Sequence, residues 1–174
     1  MNSKKIDKFL DELRTIEIVD TKNWKEFELG DLFKCNTAKQ VLKVENGNFP
    51  YITRSAFNNG LTKFVNRISN KINDGNCITI GAEGFFAFYQ EEEFMAGNKI
   101  YVLRHKKLNK FNGLFICSIL NSIVNTYSYS DARILEKIRN EKHNLPVDKN
   151  GEPDWEYMEK YIKYIYKNIE KTLK

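Results

Sequence analysis

The sequence predicts an α/β (α+β) fold: a compact domain of short strands and packed helices over residues 1–153, then a long C-terminal helix over 154–174. Three patterns predict it. Between residues 49 and 103, short runs rich in β-branched and aromatic side chains alternate with turns bearing Gly and Asn, which is strand chemistry. From residue 113 the apolar period lengthens to three and four, which is helical. Beyond Asp154, a fair helix cap, Trp155, Met158, Ile162, Ile165, Ile169 and Leu173 follow at steps of three or four, close to a heptad seam.

Taken in order, Ile6, Phe9, Leu10 and Leu13 share a helical face, and Ser3 can cap a short helix over 1–14. Residues 23–34 hold Trp24, Phe27, Leu29, Leu32 and Phe33, with Gly30-Asp31 as a break between a strand and a short turn. The polar segment 37–48 closes in Asn46-Gly47-Asn48, a loop signal. Phe49-Pro50-Tyr51-Ile52-Thr53 is a strand in which Pro50 favours an edge or a first position. Asn58-Asn59-Gly60 is a turn, because Asn and Gly tolerate positive φ. Cys77-Ile78-Thr79-Ile80 is a strand, Gly81-Ala82-Glu83-Gly84 a tight connection, 85–90 its return, and 99–103 another strand. Ile116, Ile119, Leu120, Ile123 and Val124 fall on one face of a helix over 113–125 that closes the core. Ser130-Asp131 starts a further helix with Ile134, Leu135 and Ile138, which Leu145-Pro146-Val147 ends, and 148–153 is a turn-rich linker. The terminal helix is roughly 30 Å long at 1.5 Å per residue. Its pattern suits equally a helix that projects from the domain and one packed back on the core.

At 174 residues the chain can hold one well-cored domain plus an appendage. Aromatic residues at 13% argue against disorder. No apolar run approaches the roughly 20 residues that cross a bilayer, and the opening MNSKKIDKFLDEL lacks the apolar core of a signal peptide. The expectation is a cytoplasmic protein without membrane contact. Cys35, Cys77 and Cys117 are odd in number and widely spaced, which fits neither a disulfide framework nor a zinc site. A net charge of +5 and a pI near 9.0 tolerate a polyanionic partner without demanding one.

Catalytic motifs are mostly missing from the sequence. His105 and His143 lack a second metal ligand at useful spacing, so no metal is expected. Gly81-Ala82-Glu83-Gly84 lacks the Gly-Lys-Ser/Thr ending of a phosphate cradle. Pro153-Asp154 is not followed by the acid-x-Lys pair of metal-dependent nucleases, and Glu91-Glu92-Glu93 is a solvated acidic run. An amino-methyltransferase would need an Asn/Asp-Pro-Pro-aromatic motif, which is missing. Neither enzyme activity nor a cofactor is expected. What remains is a set of polar, basic and aromatic residues on predicted loops, of a kind that suits a DNA-reading surface. Arg pairs bidentately with guanine, Asn or Gln with adenine, and Lys and Ser mostly hold phosphates.

The same residues carry a resemblance. PYITRSAFNNGLTKFV (50–65) and CITIGAEGFFAFYQEEEFMAGNKIYVL (77–103) resemble the specificity domain of type I restriction–modification S subunits, in the branch also used by type IIG- and IIB-like enzymes. WKEFELGDLF (24–33), LFICSILN (114–121), YSYSDARILEKI (127–138) and LPVDKNGEPDWEYMEKYI (145–162) fit the same family in the same order. The resemblance implies a curved, mostly antiparallel sheet and a C-terminal spacer helix. It implies that loops read half of a split site in double-stranded DNA through the major groove. Base edges fall to Arg54, Asn58, Asn59 and Gln90, and phosphates to Lys39, Lys63, Lys99 and Arg133, with Tyr89 and Tyr129 beside them. Asp131 stands where many relatives place Gly or a basic residue, which weakens a phosphate contact there.

The implied partners are methyltransferase (modification) subunits and a restriction subunit. Full S subunits carry two recognition domains and two spacer helices, whereas one of each is found here. That implies a half-subunit forming a homodimer through Trp155, Met158, Ile162, Ile165, Ile169 and Leu173, and a palindromic split site. A reading from a different class is an interaction protein, a truncated half-subunit that assembles with a host modification enzyme and redirects or blocks it.

Overall fold

Strands whose alternate side chains enter two different cores decide the architecture, and the central ones are buried on both faces. The computed structural model describes residues 21–83, 86–128 and 130–173, so the expected helix over 1–14 lies outside it. The elements are β1 (Lys25–Glu28), α1 (Leu29–Leu32), β2 (Lys34–Thr37), β3 (Asn46–Ile52), β4 (Leu61–Val65), β5 (Ile72–Asn73), β6 (Cys77–Gly81), β7 (Ala87–Gln90) and β8 (Phe94–Ala96). They continue with β9 (Ile100–Arg104), α2 (Lys110–Asn121), α3 (Leu135–Asn140), β10 (Lys142–Leu145) and α4 (Trp155–Leu173).

A first sheet, ordered β2-β9-β6-β7, is antiparallel throughout. Alternate side chains of its strands point to opposite faces. Ile78, Ile80, Tyr101 and Leu103 meet Phe115, Ile116 and Leu120 of α2, Ile138 of α3 and Met158 of α4 in the main core. Their neighbours Cys77, Ile100 and Val102 meet Ile52, Phe94 and Ala96 of a second sheet. The result is three layers: helices, sheet, sheet. Because β6 is covered on both faces, all five of its residues are buried, and its sequence runs without a polar alternation.

The second sheet, β4-β3-β8-β5, is antiparallel except where β3 runs parallel to β8. Its outer face carries Tyr51, Val65 and Met95 under Val41, Val44 and Phe49, while β1 and β10 form a separate two-stranded ribbon. The mostly antiparallel sheet expected from the family is thus present, divided into two four-stranded sheets and a ribbon.

Several boundaries differ from the sequence reading for local reasons. Asn46-Gly47-Asn48 belongs to β3 rather than to a loop. At Gly47 a Cβ would stand 2.4 Å from the backbone of Val65 and Asn66, so this glycine serves a close approach at a bulge between β3 and β4. Helix α2 starts earlier than residue 113, because Asn109 and Asn112 form a reciprocal capping box ahead of it. No helix starts at Ser130-Asp131; Asp131 bridges to Ser128 and the Arg133 N–H donates to Ala82 O at 3.0 Å. These bonds hold the segment extended, and the helix is confined to α3 before the chain turns into β10.

The terminal helix packs back on the core over its first turns. Asp154 caps α4, its Oδ1 accepting the Tyr157 N–H at 2.8 Å. Trp155 stacks on His105 with centroids 4.3 Å apart and meets the edge of Phe33. Phe115 of α2 contacts Tyr157 and Tyr161, and Phe111 contacts Tyr166. The first turns therefore belong to the domain, and Trp155 and Met158 are core residues. Ile165 and Ile169 are half-buried and stand outside the core clusters; the Leu173 side chain lies outside the described residues. Among the described residues, no helix is long and apolar enough to cross a membrane.

Gly113 marks where α2 crosses β7: a Cβ there would fall 2.5 Å from the Tyr89 ring. Gly113→Ala is expected to lower stability by about 1–3 kcal/mol through overpacking, read as a reduced urea midpoint.

Candidate nucleic-acid interface

The loop from Thr53 to Gly60 leaves the end of β3 and is built by residues that accept unusual backbone geometry. Asn58, Asn59 and Gly60 have φ of 49°, 55° and 78°, three successive left-handed positions. Asn tolerates this region better than other side-chain-bearing residues. Below the loop, the Asn59 side-chain amide donates to Tyr89 O at 3.0 Å and to Gln90 Oε1 at 3.3 Å. The Gln90 amide returns the contact to Asn59 O and also donates to Thr79 Oγ1, both at 3.0 Å. The loop is thereby fastened to β7 and β6 from beneath.

Beside it stands a charged cluster drawn from three connections. Arg54 and Lys99 both pair with Glu83, Lys99 at 2.8 Å. Glu83 is the most buried of the three, and Lys99 takes a φ of 54° to reach it. Gly81 permits the approach, since a Cβ would lie 2.8 Å from the Arg54 Cα. Glu83 was not singled out by the sequence as a site residue, because its partners lie 16 and 29 positions away and only the fold joins them. Lys63 projects from β4 over the Tyr51 ring at 5.6 Å, and Lys39 is exposed on the segment covering the second sheet.

Three expected contact residues lie inside instead. Gln90, 6% exposed, spends its amide on Asn59 and Thr79 as above, so it supports the loop and presents no free edge. Tyr89 is buried against Gly113, and its hydroxyl donates to Asn76 Oδ1 at 2.9 Å. Arg133 is 0% exposed: its Nε and Nη2 donate to Glu141 at 2.7 and 2.5 Å. A guanidinium so enclosed cannot reach a phosphate without depriving a buried carboxylate of its ion-pair partner. Polar residue type by itself did not separate these from surface residues. Tyr129 lies outside the described residues.

Glu141 gathers more than Arg133. Tyr127 donates its hydroxyl to Glu141 Oε1 at 2.8 Å, and His143 Nε2 lies 3.0 Å from Oε2. Burial alone would push this carboxyl up, but the hydrogen bonds from Arg133, His143 and Tyr127, with the Arg133 charge, hold it below its ordinary value. The network reaches the surface through the main chain, since Arg133 N–H holds the Ala82 carbonyl next to Glu83. Cys35, Cys77 and Cys117 are buried free thiols whose pKa values burial raises, so none is poised as a nucleophile. Among the described residues, no group of three or more His, Cys, Asp or Glu is placed to hold a metal ion.

Residues 21–174 match the family described as "Type I restriction modification DNA specificity domain". The specificity subunit S.BcgI of a type II restriction enzyme from Heyndrickxia coagulans is 34% identical over 154 residues, covering 84% of this chain and 45% of that protein. Among solved structures, the type I S subunit from M. genitalium superposes with a TM-score of 0.62 at 16% identity, over 97% of this chain and 47% of that one. The HsdS subunit from Thermoanaerobacter tengcongensis gives 0.60 at 12% identity, over 98% and 46%. These structures establish the shared fold. The chain spans less than half the length of each of these relatives.

Glu141→Gln leaves a buried guanidinium without its counter-charge and is expected to cost about 3–5 kcal/mol in chemical denaturation. The depressed Glu141 pKa stabilises the fold above its ordinary value of 4.5, and that stabilisation fades as pH falls through the lower folded-state value. The gap between wild type and Glu141→Gln therefore narrows on acidification below about 4.5, which denaturation at stepped pH measures.

Proposed function

Since this chain belongs to the family of type I restriction–modification DNA specificity domains, we propose that it is the sequence-reading module of a restriction–modification system, binding half of a split site in double-stranded DNA. The observation that carries this reading is the gathering of Arg54, Asn58, Asn59 and Lys99 onto one fastened, loop-built surface. Arg54 and Asn58 are suited to base edges, with Asn59 holding the turn between them and β7. Lys39, Lys63 and Lys99 are suited to phosphates. Partly exposed ion pairs are worth about 0–1 kcal/mol, so Lys99 can exchange Glu83 for a phosphate at little cost. Gln90, Tyr89 and Arg133 serve the same surface from within.

In this reading the chain is cytoplasmic, has no catalytic role of its own and docks methyltransferase subunits and a restriction subunit. The outer half of α4 offers Ile165 and Ile169 to a partner helix. Pairing with a second copy would make a half-subunit homodimer that reads a palindromic split site. The half-exposed Ile165 and Ile169 also favour the second reading, an interaction protein that captures a host modification enzyme. The two separate if α4 still captures methyltransferase subunits after Arg54, Asn58, Lys63 and Lys99 are all replaced by Ala.

Selection from a random duplex pool is expected to enrich a split palindrome. Arg54→Ala should then lose about 1–3 kcal/mol of discrimination at one base pair, whereas Lys63→Ala should weaken all sequences evenly and reduce the salt slope by about 1. Unchanged binding in both variants contradicts the assignment. Ile165→Asp combined with Ile169→Asp is expected to abolish self-association in sedimentation while leaving the urea midpoint close to wild type. A dimer that survives both changes places the subunit contact elsewhere.

A further inference from the structure

Phe57 is the most exposed large apolar side chain among the described residues, at 81%. It stands at the tip of the 53–60 loop, and the backbone around it is held on both sides. Its N–H donates to Ser55 Oγ at 3.1 Å, and its carbonyl accepts the Gly60 N–H at 3.0 Å. The Asn58 amide closes the next step by donating to Leu61 O at 3.2 Å. Isolated exposed apolar residues are ordinary on protein surfaces. This one differs in being presented by a turn that uses two non-glycine left-handed residues and is fastened to β7 below.

A phenyl ring held out in water adds little to the stability of the fold, so its placement is explained by what it meets. The flank is cationic: Arg54 lies three residues before it, and Lys99 joins Arg54 through Glu83. Asn58 follows directly, with its side chain exposed. A polyanion with an apolar group exposed in its groove fits such a tip. In the major groove of DNA the exposed apolar group is the 5-methyl of thymine, which neither phosphates nor other bases supply in unmodified DNA.

We propose that Phe57 is a specificity-determining residue that packs on the 5-methyl group of one thymine in the recognised half-site. This assignment rests on the DNA-reading function proposed above. The contact discriminates A·T from G·C by apolar burial rather than by hydrogen bonding, and complements Arg54 and Asn58 beside it.

The test uses the full chain, with and without its modification subunits, on the duplex enriched by selection. Each thymine is replaced in turn by deoxyuridine, which removes the methyl and nothing else. Wild type should lose about fourfold in affinity at one position per half-site, the worth of one buried methyl. Phe57→Ala should bind thymine and deoxyuridine duplexes equally, and Phe57→Leu should retain part of the preference. Both variants should unfold at the wild-type temperature, because the ring covers no core. Two results would overturn the assignment: wild type indifferent to every deoxyuridine, or Phe57→Ala weakened alike on both duplexes, as a ring inserted between base pairs would give. Enrichment of a sequence without methyl dependence removes Phe57 alone, whereas no enrichment at all removes the DNA-reading function beneath it.

Discussion

A carboxylate withdrawn from water must be met by charge and hydrogen bonds from several sides. Glu141 is met from three. Arg133 forks onto both oxygens, Tyr127 donates to one and His143 lies against the other. These partners come from the 127–133 segment and from β10, which would otherwise be a loose crossing between α2 and α4. The same knot holds Glu141 O for the Leu29 N–H and directs the Arg133 N–H to Ala82. Ribbon, helices and the β6–β7 turn are thus tied to one buried charge.

From that knot the fold passes rigidity outward to a surface with little burial of its own. The β6–β7 turn presents Glu83, which gathers Arg54 and Lys99. The Asn59–Gln90 exchange does the same for the neighbouring loop. The Glu83 pairs add little stability of their own, because their cations are partly exposed. The effect of both devices is on geometry: cations and amides are held in place before any ligand arrives, which reduces the ordering cost of binding. A family whose members read DNA needs this arrangement where side-chain position decides which base is accepted.

Local patterns in the sequence foretold local structure. The strand over Cys77-Ile78-Thr79-Ile80, which the structure extends to Gly81, the Asn58-Asn59-Gly60 turn and the Asp154-capped helix each follow from composition and spacing. Strands β5 and β8, at two and three residues, are too short to leave a period, and β10 was absorbed into an expected helix. The candidate site is legible in part. Arg54, Asn58, Asn59, Lys63 and Lys99 lie on the surface, while Gln90, Tyr89 and Arg133 carry the same polar chemistry inward. Residue type cannot tell the two apart, because a buried amide or guanidinium is satisfied by partners distant in sequence, such as Asn59 or Glu141. Glu83 is hidden in the sequence for the same reason, its partners being Arg54 and Lys99.

Hydrogen exchange on the chain, free and bound to its selected duplex, tests most directly whether a buried framework presents a prebuilt DNA-reading tip. The Thr53 and Gly60 amides, bonded to Gly60 O and Phe57 O, should already exchange slowly in the free chain. Duplex should add protection over 53–60 and 97–99 and leave 127–145 unchanged. A loop that exchanges at the rate of an unstructured chain until DNA arrives, or added protection confined to other surfaces, would contradict the account.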